Sequence, residues 1–223
     1  MKSFNNIFFD TKEKKVALTF DDGPDPIYTR EILNILQRYN VKAAFFVIGQ
    51  HVQTYRDVIG EIASQGHTIG NHTYHHPDLL DLSHEEIVEE IVKTEKEIMQ
   101  ITGQKPHLFR PPYGHFDDSI VEMVRQMGYI FFTWTRKLDS RDWEYASESL
   151  IFSHMMTHVE SGGIMLFHDS SHDRMAVRSH TVKVINQLIP ALLEQNYQFI
   201  DLAHLHHDPN IIVYTIDENK YYN

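Results

Sequence analysis

Short apolar, β-branched and aromatic runs recur along this chain at "VALTF" (16–20), "AAFFVIG" (43–49), "HTIG" (67–70), "HLFRP" (107–111), "YIFFTW" (129–134), "GIMLF" (163–167) and "YQFIDL" (197–202). Each has the length and composition of a buried strand. Between them lie segments of helical periodicity, among them "IYTREILNILQRY", "VQTYRDVIGEIASQG" and "SHEEIVEEIVKTEKEIMQITG". The last opens with Ser83 and Glu86 at the spacing of a capping box, and several end at a glycine, the usual helix stop. Alternation of this kind, repeated about seven times, implies parallel strands joined by helical crossovers, either a (β/α) barrel or an open doubly wound sheet. In both architectures the productive site lies in the loops beyond the carboxyl ends of the strands.

With 223 residues, 42% of them hydrophobic, the chain can bury one substantial core. No repeat, low-complexity tract or Pro/Gly/Ser linker divides it, so residues 1–223 read as a single domain. The core spans about 16–202, and 203–223 is a weakly patterned C-terminal appendage. The formal charge of −11 argues against a nucleic-acid partner, which would require a Lys/Arg-rich face. No run approaches the ~18 apolar residues of a membrane helix, and "MKSFNNIFFDTKEKK" has too short an apolar stretch for a signal peptide. The chain as given therefore reads as cytoplasmic, or as extracellular or cell-wall if a signal has been removed. There are no cysteines, so any metal must be held by His, Asp or Glu.

Five polar motifs each follow an expected strand. "TFDDGPD" carries Asp21 and Asp22 side by side; side chains alternate along a strand, so the two carboxylates are expected to face different surroundings. "GNHTYHHPD" places His72 and His76 four apart, with His75 beside the second, and Gly70 and Pro77 argue that this spacing is a loop's and not a helix's. Taken alone, the stretch is as readily a polar loop as a metal site. Asp22 would complete an Asp-His-His set with coordination positions left open for water and substrate, the composition of a catalytic site. "RPPYG" brings Arg110, "LDSRDW" brings Asp139, Asp142 and Trp143, and "IMLFHD" brings His168 and Asp169.

In this order the five motifs resemble those of the NodB-like polysaccharide deacetylases, the family 4 carbohydrate esterases, over about Val16 to Leu202. The resemblance implies a distorted (β/α) barrel of seven parallel strands. It implies a hydrolase that removes N-acetyl groups from GlcNAc-type polymers or oligomers, such as chitooligosaccharide or peptidoglycan, with one divalent metal; imidazole-carboxylate ligation suits zinc, and cobalt, nickel or manganese would also fit. Carried over by motif, Asp21 is the general base, Asp22, His72 and His76 hold the metal, and Arg110 pairs with Asp21. Tyr113 offers its backbone N–H to the oxyanion, Trp143 and Leu166 line the acetyl pocket, and His168 is the general acid. Asp142, which directly precedes the tryptophan, is preferred over Asp139 as the partner of His168, although "WTRKLDSRDW" is a longer and more basic approach to this motif than is typical. Two other readings are an O-acetyl esterase acting on acetylated xylan and a sugar-binding module without catalysis.

Overall fold

The computed structural model describes residues 6–9, 13–144, 147–204 and 213–216. Seven parallel strands form a curled sheet: β2 (Lys15–Asp21), β3 (Ala44–Val47), β4 (Thr68–Asn71), β5 (Leu108–Phe109), β6 (Ile130–Phe131), β7 (Gly163–His168) and β8 (Gln198–Ile200). The hydrogen-bonded order is β6-β5-β4-β3-β2-β7, and β8 pairs with the first half of β2 while β3 pairs with its second half. Two further strands, β1 (Asn6–Phe9) and β9 (Val213–Ile216), pair antiparallel with each other, and β1 also pairs with β7. Residues 205–212 and 217–223 of the expected C-terminal appendage lie outside the described residues. Among the described residues, no helix is long and apolar enough to cross a membrane.

The strands are buried on both faces, which explains why they read as near-continuous apolar runs. Val16, Leu18 and Phe20 of β2 pack outward with Phe45, Val47, Met165 and Phe167 against the helices. Ala17, Ala44, Phe46, Leu108 and Ile164 point inward and fill the curl of the sheet. The outer layer is α1 (Tyr28–Tyr39), α2 (Gly49–Thr54), α3 (Arg56–Ser64), α4 (His84–Thr102), α5 (Asp118–Gln126), α6 (Glu148–His158) and α7 (Ser179–Glu194). The capping box of α4 forms, with Ser83 accepting from the Glu86 amide and Glu86 from that of Ser83, and Gly103 at φ 71° stops the helix.

Three expected elements differ in extent. The segment "VQTYRDVIGEIASQG" makes two helices, because Tyr55 leaves helical geometry (φ −118°, ψ 54°) to seat its ring on the outer core. Strands β5 and β6 are two residues each. Pro111 and Pro112 end the first. After the second the chain turns toward β7, where the Thr135 amide bonds to the Ile164 carbonyl and that of Ser140 to Leu166. This irregular stretch, and not a regular ladder, closes the curl between β6 and β7.

Gly70 of β4 lies under the Phe46 ring, and a Cβ there would collide with it. Phe46 in turn supports the Arg110 guanidinium, whose central carbon is 4.0 Å from the ring centroid. Gly70→Ala is therefore expected to destabilise the protein by about 1–3 kcal/mol, the usual cost of overpacking. Urea denaturation of both proteins measures this.

Candidate active site

Asp21 ends β2 facing inward. Arg110, fully buried just beyond β5, gives its Nη1 to Asp21 Oδ1 (2.7 Å) and Thr19 Oγ1 (2.9 Å), and its Nη2 to the Thr133 carbonyl (3.0 Å). Burial lowers the guanidinium pKa and the Asp21 charge opposes that shift; a guanidinium stays ionised in either case. Asp22 departs from the simple alternation expected of neighbouring strand residues. Its φ of 73° turns the chain, so its carboxylate reaches the same centre as Asp21 instead of the opposite face. His72 Nε2 is 3.6 Å from Asp22 Oδ1 and 3.8 Å from Asp21 Oδ2.

The histidine loop is a tight turn with Thr73 at φ 67° and His76 at φ 61°. Thr73 holds it by donating to the His72 carbonyl (2.5 Å) and accepting from the His76 amide (3.1 Å). Asn71, which opens a chance glycosylation sequon, is buried and accepts from the Thr73 amide. His72 donates from Nδ1 to the Arg110 carbonyl (2.8 Å). This fixes its tautomer and leaves Nε2 as a lone pair facing Asp22. His76 Nε2 lies 3.3 Å from Asp22 Oδ1. His75 is exposed and turned away, bonded through Nδ1 to Glu90 Oε1 (2.6 Å).

Ligand atoms of Asp22, His72 and His76, all buried, lie within 4.8 Å of one another. Asp22 Oδ1 is buried without a hydrogen-bond partner among the described residues, an arrangement that is costly unless a cation meets it. Burial works to raise the Asp22 pKa, but His72, His76 and His168 outweigh it and hold the carboxyl ionised. Burial lowers His76 to about 3, keeping its imidazole neutral. Two imidazoles and one carboxylate suit a divalent ion.

On the other side of Asp21 lies His168, its register partner across the parallel β2–β7 pair. His168 donates from Nδ1 to Asp142 Oδ1 (2.7 Å), and its amide bonds Oδ2 (3.0 Å). Of the two aspartates weighed, Asp142 takes the imidazole, whereas Asp139 accepts from the Arg141 amide. Burial alone would lower the His168 pKa; Asp142, with Asp22 and Asp21, raises it to about 9. Burial works to raise Asp142 itself, and its contacts with His168 hold it low. Tyr113, half exposed at φ 56°, meets the His76 ring edge-on with centroids 4.6 Å apart. Leu166 is buried on β7 two residues before His168, and Trp143, half exposed, follows Asp142.

Other residues shape the centre without an obvious sequence signal. His51, fully buried in α2, donates from Nδ1 to the Asp22 carbonyl (2.8 Å). Glu90 of α4 accepts from the Tyr74 and His75 amides (2.9 and 2.7 Å). Burial raises Asp169 to about 7, and Thr29 bonds its Oδ2 (2.5 Å) beneath Gly23, where a side chain would strike the carboxylate. Of these, Asp169 alone was marked in the sequence, by its place in "IMLFHD".

A family model described as polysaccharide deacetylase matches residues 9–132. A peptidoglycan-N-acetylglucosamine deacetylase of Bacillus cereus is 36% identical over 193 residues, 86% of this chain and 88% of the relative. A chitooligosaccharide deacetylase of Bradyrhizobium is 32% identical over 201 residues, 86% of this chain and 91% of that one. The solved Bc1960 peptidoglycan N-acetylglucosamine deacetylase superposes with a TM-score of 0.82 at 31% identity, covering 89% of each chain. The chain belongs to the polysaccharide deacetylase family, the NodB-like family 4 carbohydrate esterases, whose members depend on a metal.

The His168–Asp142 pair sets a pH expectation. In chelator-treated protein the His168 ring should titrate near pH 9 by NMR, against about 6.5 for a free histidine. Because the folded pKa is raised, the stability this pair contributes is fully present below about 6.5 and is lost as pH rises through about 9. Asp142→Asn removes the strongest attraction on the imidazolium and should bring the midpoint down; an unmoved midpoint would mean that Asp142 is not its source.

Proposed function

We propose that this protein is a metal-dependent N-deacetylase of GlcNAc-type glycan, chitooligosaccharide or peptidoglycan, that releases acetate, with zinc as the metal. The observation that carries this reading is the register pairing of Asp21 with His168 beside the Asp22, His72 and His76 set, each with its own counter-ion in Arg110 and Asp142. A base and an acid thus flank one centre.

Asp22, His72 and His76 would hold the ion. Bound there, it supplies Lewis-acid polarisation of the amide carbonyl and a lowered pKa for attacking water. Asp21, held in place by its pairing with Arg110, is positioned to take the proton of the attacking water. The backbone N–H of Tyr113 meets the negative charge that develops on the carbonyl oxygen. His168, protonated at neutral pH, gives its proton to the departing amine, which leaves poorly otherwise. Leu166 and Trp143 enclose the acetyl methyl. Relatives named for both peptidoglycan and chitooligosaccharide support a GlcNAc-type substrate.

Acetate release from chitooligosaccharides, peptidoglycan fragments and acetylxylan, with and without chelator, tests the assignment. Chelator-sensitive release from either of the first two is expected. Release from acetylxylan alone would make the protein an O-acetyl esterase, and no release with any metal would make it a binding module.

The two aspartates should also separate. Asp22→Asn is expected to bind metal weakly and to recover activity as metal is added. Asp21→Asn should keep its metal yet stay slow at every metal concentration, by about 10²- to 10⁴-fold. Metal content measured beside activity decides the roles, and reversed behaviour would exchange them.

A further inference from the structure

The acid side of the centre is built from further away than its own motif. Asp142 is completely buried, and both carboxylate oxygens are occupied. Oδ1 accepts from His168 Nδ1, while Oδ2 accepts from the His168 amide (3.0 Å) and from the hydroxyl of Thr181 (2.7 Å). Its carbonyl oxygen accepts twice more, from Arg178 Nη1 (3.2 Å) and His180 Nε2 (2.8 Å). Arg178 is itself buried, and its Nε donates to the carbonyl of Ser170, two residues beyond His168 (2.7 Å). One short segment, "RSHT" at the start of α7, therefore grips the loops after β6 and β7 together.

We propose that Thr181, supported by Arg178 and His180, is a positioning residue for proton delivery to the leaving amine. It fixes the Asp142 carboxylate so that Oδ1 faces His168 and aims the imidazole at the reacting group. The inference rests on the deacetylase reading above. A carboxylate with two free oxygens can rotate about its Cβ–Cγ bond. The Thr181 hydroxyl on Oδ2, shorter than the bond from the His168 amide to the same oxygen, restricts that freedom from the side away from His168's own backbone, as outer hydrogen bonds orient groups that act directly. Thr181 is fully buried and its hydroxyl is spent on Asp142, so its loss should affect protonation alone.

The test compares two acetyl donors with unequal leaving groups. An N-acetylglucosamine oligomer expels an amine that needs a proton, whereas p-nitrophenyl acetate expels a phenolate that does not. Thr181→Val, nearly isosteric, should lower kcat on the oligomer about tenfold or more with KM and metal content unchanged. It should leave turnover of the aryl acetate as it was, and Thr181→Ser should restore the amide rate. In proton NMR the Nδ1–H resonance of His168, hydrogen-bonded to Asp142, should shift or broaden in Thr181→Val and recover in Thr181→Ser. An equal loss on both substrates with this resonance unmoved would make the residue merely structural and overturn the proposal, as would no loss on either. Were the wild type to release no acetate from any sugar, the deacetylase reading would fall. The NMR comparison would still decide whether Thr181 positions the pair: an unmoved resonance overturns that too.

Discussion

The centre depends on what Arg110 does with both its side chain and its backbone. Its guanidinium binds Asp21 and Thr19 of β2 and the carbonyl of Thr133 beyond β6, and its own carbonyl orients His72. Asp21 and His72 are thereby referred to a single residue. The ion pair is fully buried, so truncating either partner would leave an uncompensated charge, typically a loss of about 3–5 kcal/mol. The inward face of the sheet is otherwise apolar around it, with Phe46 beneath and Trp134 alongside.

A second consequence follows from the separate counter-ions. Asp21 and His168 are neighbours on adjacent strands, carry opposite charge, and without other partners would satisfy each other. Arg110 and Asp142 each take up one of them. Asp21 and His168 are thus kept apart as members of two separate ion pairs. Strain accompanies this arrangement: Asp22, Thr73, His76 and Tyr113 all have positive φ without being glycine. Such conformations persist only where surrounding bonds over-determine them.

Much of this was legible in the chain itself. The seven parallel strands follow from apolar runs buried on both faces, and the motif residues gather at one end because parallel strands all finish there. Asp22 was legible as a separate group but not in its direction, because alternation holds only while the strand continues and φ 73° ends it. The break at Tyr55 was hidden because a tyrosine fits a helical pattern as well as it interrupts one. Strands β1 and β9 were missed for another reason: their pairing is antiparallel and at the edge, joining chain ends far apart in sequence. Glu90, His51 and Thr181 were invisible, each a polar residue on a helix whose partner is a loop brought near only by the fold.

The histidine loop is anchored from outside. Glu90 takes two of its amides, the Gly49 and Gln50 amides take the Thr73 and Tyr74 carbonyls, and the Arg110 carbonyl takes the His72 ring. The loop's position is thus fixed by the chain around it. In a zinc finger the metal supplies the folding free energy and its removal unravels the chain. Here the dependence runs the other way. On the ligand assignment proposed above, ion exchange would be an event within a fold whose histidine loop is held by bonds that involve no ion.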